Sequence, residues 1–132
     1  MRGIDTNVLV RYLTRDDVRQ ARRAERFMGQ CVREGDDVYL AQVVLCELVW
    51  VLTTCYHRTR PEVAEVLEIL LETEQMQVEE RDRVRRALAE YRQGPGDFAD
   101  YLIGTGNQEA GCTTTATFDR KLKDHPAFAL VR

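Results

Sequence analysis

The chain has 132 residues, of which 44% are hydrophobic and 31% charged, as expected for one ordinary globular domain. Its longest strongly apolar run, residues 43–52, is far shorter than the roughly 20 residues of a membrane span, so we predict no membrane segment. The net charge of −3 argues against nucleic-acid binding through a broadly basic surface. We expect a single domain over residues 1–132. We also expect a cytoplasmic location, because the sequence begins with a predicted strand and shows no signal peptide.

Short strands alternate with longer helices along the chain. Apolar spacing and breaker residues predict strands at 2–5, 38–40, 76–78, 112–118 and 128–131. They predict helices at 8–13, 17–34, 42–55, 61–74, 81–93 and 98–109, and a short helical turn at 120–123. This alternation indicates an α/β fold whose parallel sheet is covered by helices on both faces.

Four acidic residues interrupt apolar sequence: Asp5, Glu47, Asp100 and Asp119. Glu47 lies in the middle of helix 42–55, which is apolar on nearly all sides and is therefore predicted to be central and buried. A buried lone carboxylate is costly unless it is paired, neutralised or bound to a metal. Four such positions in one small domain predict that the carboxylates meet and hold a cation.

Each acid also has a local explanation. Asp5 and Asp119 are plausible N-caps of the helical segments that follow them, and Asp100 lies in the first turn of a helix, where the dipole favours an acid. Glu47 could be one half of a tertiary salt bridge. The joint interpretation is favoured because Asp5 and Asp119 both follow predicted strands, and ligand sites of parallel sheets lie at the carboxyl ends of the strands.

The chemistry of such a cluster points to one kind of reaction. Mg²⁺ and Mn²⁺ take oxygen ligands, and clustered carboxylates repel one another unless a cation compensates. Carboxylates around one or two such ions can activate water for an in-line displacement at phosphorus, with no nucleophilic Ser, Cys or His. The acids therefore predict cleavage of phosphodiester bonds.

The segments around the four acids resemble the signature segments of PIN domains, and in particular those of VapC-type toxins of toxin–antitoxin modules. These segments are residues 4–9, 45–52, 97–103 and 115–122, and the resemblance extends over essentially the whole chain. It implies a three-layer α/β/α fold with a central, mostly parallel sheet of four to five strands. It also implies a Mg²⁺- or Mn²⁺-dependent endoribonuclease that forms a homodimer and is inhibited by a small DNA-binding, VapB-like antitoxin.

The resemblance assigns roles to individual residues. Asp5, Glu47, Asp100 and Asp119 would be the metal-binding and catalytic set. Asp97 matches a frequent additional acid, and we expect it to act mainly as the helix cap. Small polar positions that orient the acids or bound water are matched by Thr6, Asn7 and Thr117.

Basic residues near these acids are candidates for binding RNA phosphate: Arg11, Arg120 and Lys121. For Arg11 and its basic neighbours, the alternative is a solvated helix face that pairs with nearby acids. Two other functions remain open for the chain. One is a non-catalytic PIN-like module that binds RNA or a basic peptide, and the other is a receiver-type phosphoacceptor domain, disfavoured because the first strand ends in a single acid.

Overall fold

The computed structural model describes all 132 residues, Met1–Arg132. Its strands are β1 Arg2–Gly3, β2 Val38–Leu40, β3 Met76–Val78, β4 Thr115–Thr117 and β5 Phe128–Leu130. Its helices are α1 Thr6–Thr14, α2 Val18–Arg33, α3 Gln42–Thr54, α4 Arg60–Glu72, α5 Arg81–Gln93 and α6 Phe98–Glu109, with a 3₁₀ turn at Arg120–Leu122. The chain divides into two compact units, Met1–Arg81 (the first unit) and Asp82–Arg132 (the second unit).

The first unit is built on a parallel three-stranded sheet in the order β1-β2-β3. Parallel neighbours need long connections, and here each connection is a pair of helices, α1 with α2 and then α3 with α4. Helix α1 packs on α2 and α3, and α4 packs on α3 and β3. The core is aliphatic, and its largest fully buried side chains include Leu9, Leu40, Leu45, Leu48, Leu67 and Leu70. Burial of each such side chain stabilises the fold by about 1.5–3 kcal/mol.

The second unit contains a parallel pair, β4 and β5, with Thr115 opposite Phe128. Helix α6 packs on β4, and the 3₁₀ turn packs on β5. Phe98 and Tyr101 of α6 are fully buried, and the ring of Phe98 meets Tyr91 edge to face at 6.1 Å. Aromatic packing therefore fixes the first turn of α6.

The chain passes very close to buried side chains just before α6. A Cβ atom on Gly96 would lie 2.7 Å from the side chain of Leu122 and 2.9 Å from that of Tyr101. The Gly96 N–H donates to the Tyr101 hydroxyl at 2.8 Å. Glycine is required by this close approach, and the contact fixes where α6 begins and thus where Asp97 and Asp100 lie.

All predicted strands and helices are present, and the α/β class with parallel pairing is confirmed. The strand predicted at 112–118 is shorter than expected, because its partner β5 has three residues and pairs only with Thr115–Thr117. Hydrogen bonds arrange the five strands as one three-stranded and one two-stranded sheet. None of the helices has the length and apolar character needed to cross a membrane.

Helix α3 differs from its prediction as a central helix that is apolar on nearly all sides. Leu45 and Leu48 are buried, but Val43 is 63% exposed and Trp50 is 62% exposed, and Glu47 lies between them on the same exposed face. The prediction was wrong because this exposed stripe is itself largely apolar, so the sequence does not distinguish it from the buried face. Glu47 is therefore a surface carboxylate.

Candidate active site

The candidate acids of the first unit, Asp5 and Glu47, are linked through Thr6. Asp5 is the N-cap of α1, and its Oδ1 accepts the Val8 N–H at 3.0 Å. The next residue, Thr6, donates its hydroxyl to Glu47 Oε1 at 2.9 Å, which joins the start of α1 to the middle of α3. This bond holds the Glu47 carboxylate against Thr6, the residue that follows Asp5 in the chain.

A pocket of about 510 Å³ opens beside Asp5, between β1, α1 and α2. Its wall is mixed, with apolar side chains and two guanidinium groups, from Gly3, Ile4, Asp5, Asn7, Val8, Arg11, Gln20, Arg23, Ala24 and Phe27. Asn7 is exposed in this wall and makes no side-chain hydrogen bond within the protein. The pocket therefore joins the candidate ligand Asp5 to a surface large enough for several side chains of a partner.

The candidate acids of the second unit, Asp97, Asp100 and Asp119, also lie at or near the starts of helical segments. Asp97 is the N-cap residue of α6, and its N–H donates to Asp100 Oδ2 at 3.0 Å. Asp119 caps the 3₁₀ turn, where its Oδ1 accepts the Lys121 N–H at 2.9 Å. The Asp119 N–H donates to the Thr117 hydroxyl oxygen at 3.0 Å, so Thr117 fixes the backbone that carries this acid.

One ammonium group stands among these three carboxylates. Lys121 Nζ is 4.0 Å from Asp97 Oδ1 and 3.8 Å from Asp119 Oδ2. The pKa of Asp100 is raised, first by partial burial and then by the negative charges of Asp97 and Asp119. The Asp97 N–H and the Lys121 charge act in the opposite direction. Burial is the larger cause of the raised pKa, and the part due to Asp97 and Asp119 is a repulsion that an added cation would relieve.

The four predicted ligands share a pattern of hydrogen bonding. In each, one oxygen accepts from a neutral backbone N–H or hydroxyl and the other accepts no hydrogen bond from the protein: Asp5, Glu47, Asp100 and Asp119. Most ion-paired acids of this chain instead face a guanidinium group: Asp16, Glu25, Glu34, Asp36, Glu62 and Glu109. The salt bridge considered for Glu47 is absent. Capping and metal ligation are compatible for Asp5 and Asp119, because capping uses only one carboxylate oxygen.

The donor chemistry of these residues fits Mg²⁺ or Mn²⁺, since it consists of carboxylate oxygens with open positions for water. No three His, Cys, Asp or Glu side chains stand close enough together, as they are, to hold a metal ion. Metal binding would therefore require these carboxylates to move from the positions that they occupy here.

The predicted phosphate-binding residues differ in whether their cationic groups already bind other side chains of the protein. Arg11 is half-buried and donates from Nε to Gln20 at 2.7 Å and from a terminal nitrogen to Asp16 at 3.2 Å. The Asp16 carboxylate is held in turn by the Tyr56 hydroxyl at 2.7 Å. Arg120 is exposed and makes no ion pair. Arg11 thus has a structural role, while Arg120 keeps its charge available.

Two features of these surfaces were missed by the sequence-based predictions. One is the pairing of Lys121 with Asp97, which are 24 positions apart in the chain and have no local signal. The other is the exposed apolar stripe around Glu47. Its signal is present in the sequence, because Val43 and Trp50 lie four residues before and three after this acid and so share its helix face.

Comparisons with known proteins agree with this description. The family model of the PIN domain matches residues 4–127. The chain is also similar to a protein of Aquifex aeolicus (strain VF5) described as a VapC ribonuclease, with 28% identity over 123 residues that cover 93% of this chain and 90% of the relative. Both findings confirm the resemblance predicted from the sequence. The chain belongs to the PIN-domain family.

Proposed function

We propose that the chain is a metal-dependent endoribonuclease that hydrolyses RNA phosphodiester bonds and acts as the toxin of a toxin–antitoxin pair. Membership of the PIN family and the similarity to a VapC ribonuclease support the reaction class. We further propose that residues 1–132 act as a single PIN domain, which the match over residues 4–127 supports. The cytoplasmic location stays a prediction.

The observation that carries this proposal is the PIN-domain match over residues 4–127, and the hydrogen bonding of the four acids is compatible with it. A neutral donor positions one oxygen of each carboxylate and leaves the other free of hydrogen bonds, and Asp119 also faces the Lys121 ammonium at 3.8 Å. None of the four pairs with a guanidinium group, as six other acids of this chain do, but the helix cap Asp17 shares their neutral bonding, so the family match is needed to single the four out. We therefore assign Asp5, Glu47, Asp100 and Asp119 as the metal-binding and catalytic residues.

Bound Mg²⁺ or Mn²⁺ would supply charge stabilisation at phosphorus and a lower pKa for reacting water. The protein's own residues prepare that chemistry. Thr6 holds Glu47 in one rotamer through its hydroxyl, and Thr117 holds the backbone of Asp119. We propose that Asn7, which lines the pocket beside Asp5, orients water there. We propose that Arg120 and Lys121 attract the RNA phosphate by charge, next to Asp119 in the chain.

Cleavage of total RNA by the purified, antitoxin-free protein tests this function. We expect discrete fragments with Mg²⁺ or Mn²⁺ and none with EDTA. Asp5→Asn and Glu47→Gln should each lower the cleavage rate at least about 100-fold, because each removes charge from the metal site while keeping the side-chain shape. Glu72→Gln, on the exposed side of α4, is the matched control and should cleave like the wild type.

Cleavage that persists in EDTA or in both site variants would contradict the metal mechanism. A folded, partner-free protein that binds Mn²⁺ and leaves every RNA intact would instead favour the non-catalytic PIN-like binding module. Circular dichroism of each variant separates these outcomes from misfolding.

We also propose that a small DNA-binding, VapB-like antitoxin inhibits the chain by inserting a segment into the pocket beside Asp5. The apolar part of the pocket wall suits aliphatic side chains, and Arg23 suits an acidic residue of the same segment. A segment bound there would lie against a catalytic carboxylate. The homodimer implied by the resemblance remains part of this proposal, and light scattering of the free protein tests it.

A charge reversal tests the pocket. Arg23→Glu should weaken antitoxin binding at least about tenfold, since it places an acid where the partner's acid would bind. Arg26→Glu makes the same change on α2 outside the pocket wall and should bind like the wild type. If titration calorimetry shows that both variants bind the antitoxin equally well, the antitoxin binds at another surface.

A further inference from the structure

The ammonium group of Lys121 occupies a particular position in the second unit. It lies 4.0 Å from Asp97 Oδ1 and 3.8 Å from Asp119 Oδ2, so one cation is shared by carboxylates from two separate elements. Its charge also acts on Asp100. The other cations of this segment, Arg120 and Lys123, make no ion pair. Of these three cations, Lys121 is the one that pairs with the candidate acids Asp97 and Asp119.

The geometry is that of a replaceable counter-ion. Both distances are at the long end for an ion pair, and the Lys121 side chain is 53% exposed. Such pairs contribute little to stability because water screens them and the side chain loses rotamer entropy. An ammonium on a flexible stem is strongly hydrated and easily displaced, whereas a guanidinium would form a fork with a carboxylate. Lys121 can thus leave the acids at low cost when a stronger cation arrives.

We propose that Lys121 is the built-in counter-ion of the metal site: its ammonium offsets the charge of Asp97 and Asp119 in the metal-free protein, and a divalent ion must displace it to bind. This inference rests on the proposed function, because it takes Asp119 and Asp100 as metal ligands. As a consequence, a metal ion takes the place of the Lys121 ammonium, and Asp97 and Asp119 face a positive charge in both states. The metal affinity is correspondingly lower than the carboxylates alone would give.

Direct measurement of Mn²⁺ binding to the antitoxin-free protein tests this competition without any RNA. Lys121→Gln removes the competing charge and should bind Mn²⁺ about fivefold more tightly than the wild type, the effect of one exposed charge pair at this distance. Lys121→Arg keeps the charge and adds the fork geometry, so its affinity should equal or fall below that of the wild type. Lys123→Gln removes the same charge two residues away and should bind like the wild type.

Melting temperature supplies a second readout. In EDTA, Lys121→Gln should melt slightly below the wild type because three carboxylates then lack any cation. In saturating Mn²⁺ this deficit should disappear, so the rise in melting temperature caused by Mn²⁺ is larger for Lys121→Gln than for the wild type. Lys123→Gln should show the wild-type rise.

The outcomes distinguish an error in the counter-ion role of Lys121 from an error in the metal site itself. If the wild type binds Mn²⁺, Asp119→Asn does not, and Lys121→Gln binds no more tightly than the wild type, then the metal site stands and the counter-ion role is wrong. If Asp119→Asn binds Mn²⁺ like the wild type, the metal site itself is wrong and the counter-ion role falls with it. Weaker binding by Lys121→Gln would make Lys121 a support of the site and would also overturn the proposal.

Discussion

The two units hold their candidate catalytic acids by different means. In the first unit, Asp5 and Glu47 are held only by neutral donors, the Val8 N–H and the Thr6 hydroxyl, and neither has a cationic partner. In the second unit, Asp97 and Asp119 share the ammonium of Lys121. The difference shows two ways to hold a carboxylate for metal binding: without any cationic partner, or paired with an ammonium group that a metal ion can displace.

The largest expected effect separates ligand from cap within the second unit. Asp100→Asn should lower RNA cleavage at least about 100-fold, because it removes charge from the proposed metal set. Asp97→Asn should lower it about tenfold or less, because asparagine remains a good N-cap and Asp97 is assigned mainly to capping. Initial cleavage rates at saturating Mn²⁺ measure both. Equal losses would make Asp97 a full ligand.

A smaller effect is expected from removing the Thr6 hydroxyl, the neutral donor to Glu47 in the first unit. Thr6→Val keeps the shape of the side chain and removes the hydroxyl that holds Glu47, and we expect about a tenfold loss of cleavage, as for other residues that orient a ligand. Thr6→Ser keeps the hydroxyl and should restore most of the rate. A Thr6→Ser variant as slow as Thr6→Val would assign the effect to packing of the methyl group.

The smallest effect tests the comparison of the two units directly. In EDTA, Glu47→Gln loses no ion pair and keeps an oxygen to accept from Thr6, so its free energy of unfolding should match or slightly exceed the wild-type value. Asp119→Asn loses its pairing with Lys121 and should be less stable than Glu47→Gln by about 0.5 kcal/mol. Urea unfolding of both variants measures the difference. The reverse order would show that Lys121 does not compensate the second-unit acids.

The elements of the fold could be predicted because their signals are local. Gly94, Gly96 and Pro95 mark the turn before α6, Gly35 marks the end of α2, and apolar spacing marks each helix face. The pairing of the five strands into two sheets was not predictable in this way. Hydrogen bonding between strands depends on long-range geometry, and strands of two or three residues carry no register signal.

The candidate acids were identified from the sequence by an argument about burial that was partly wrong. They were selected as carboxylates in apolar sequence, which suggested burial, yet Asp5 and Glu47 are exposed. Around Glu47 the apolar neighbours comprise both the core side of α3, at Leu48, and a solvent-facing side, at Trp50. Sequence detects that an acid has unusual neighbours, but only the helix orientation decides whether those neighbours bury it.

The capping bonds of Asp5 and Asp119 also bear on how such a protein would change over evolutionary time. These residues have two separate uses, one in starting a helical segment and one in the proposed chemistry, so a lineage that stopped cutting RNA would still gain from keeping them. Glu47 caps nothing and pairs with no cation. Among descendants of this chain, replacement of Glu47 would therefore be the earliest and most reliable mark of a lost activity.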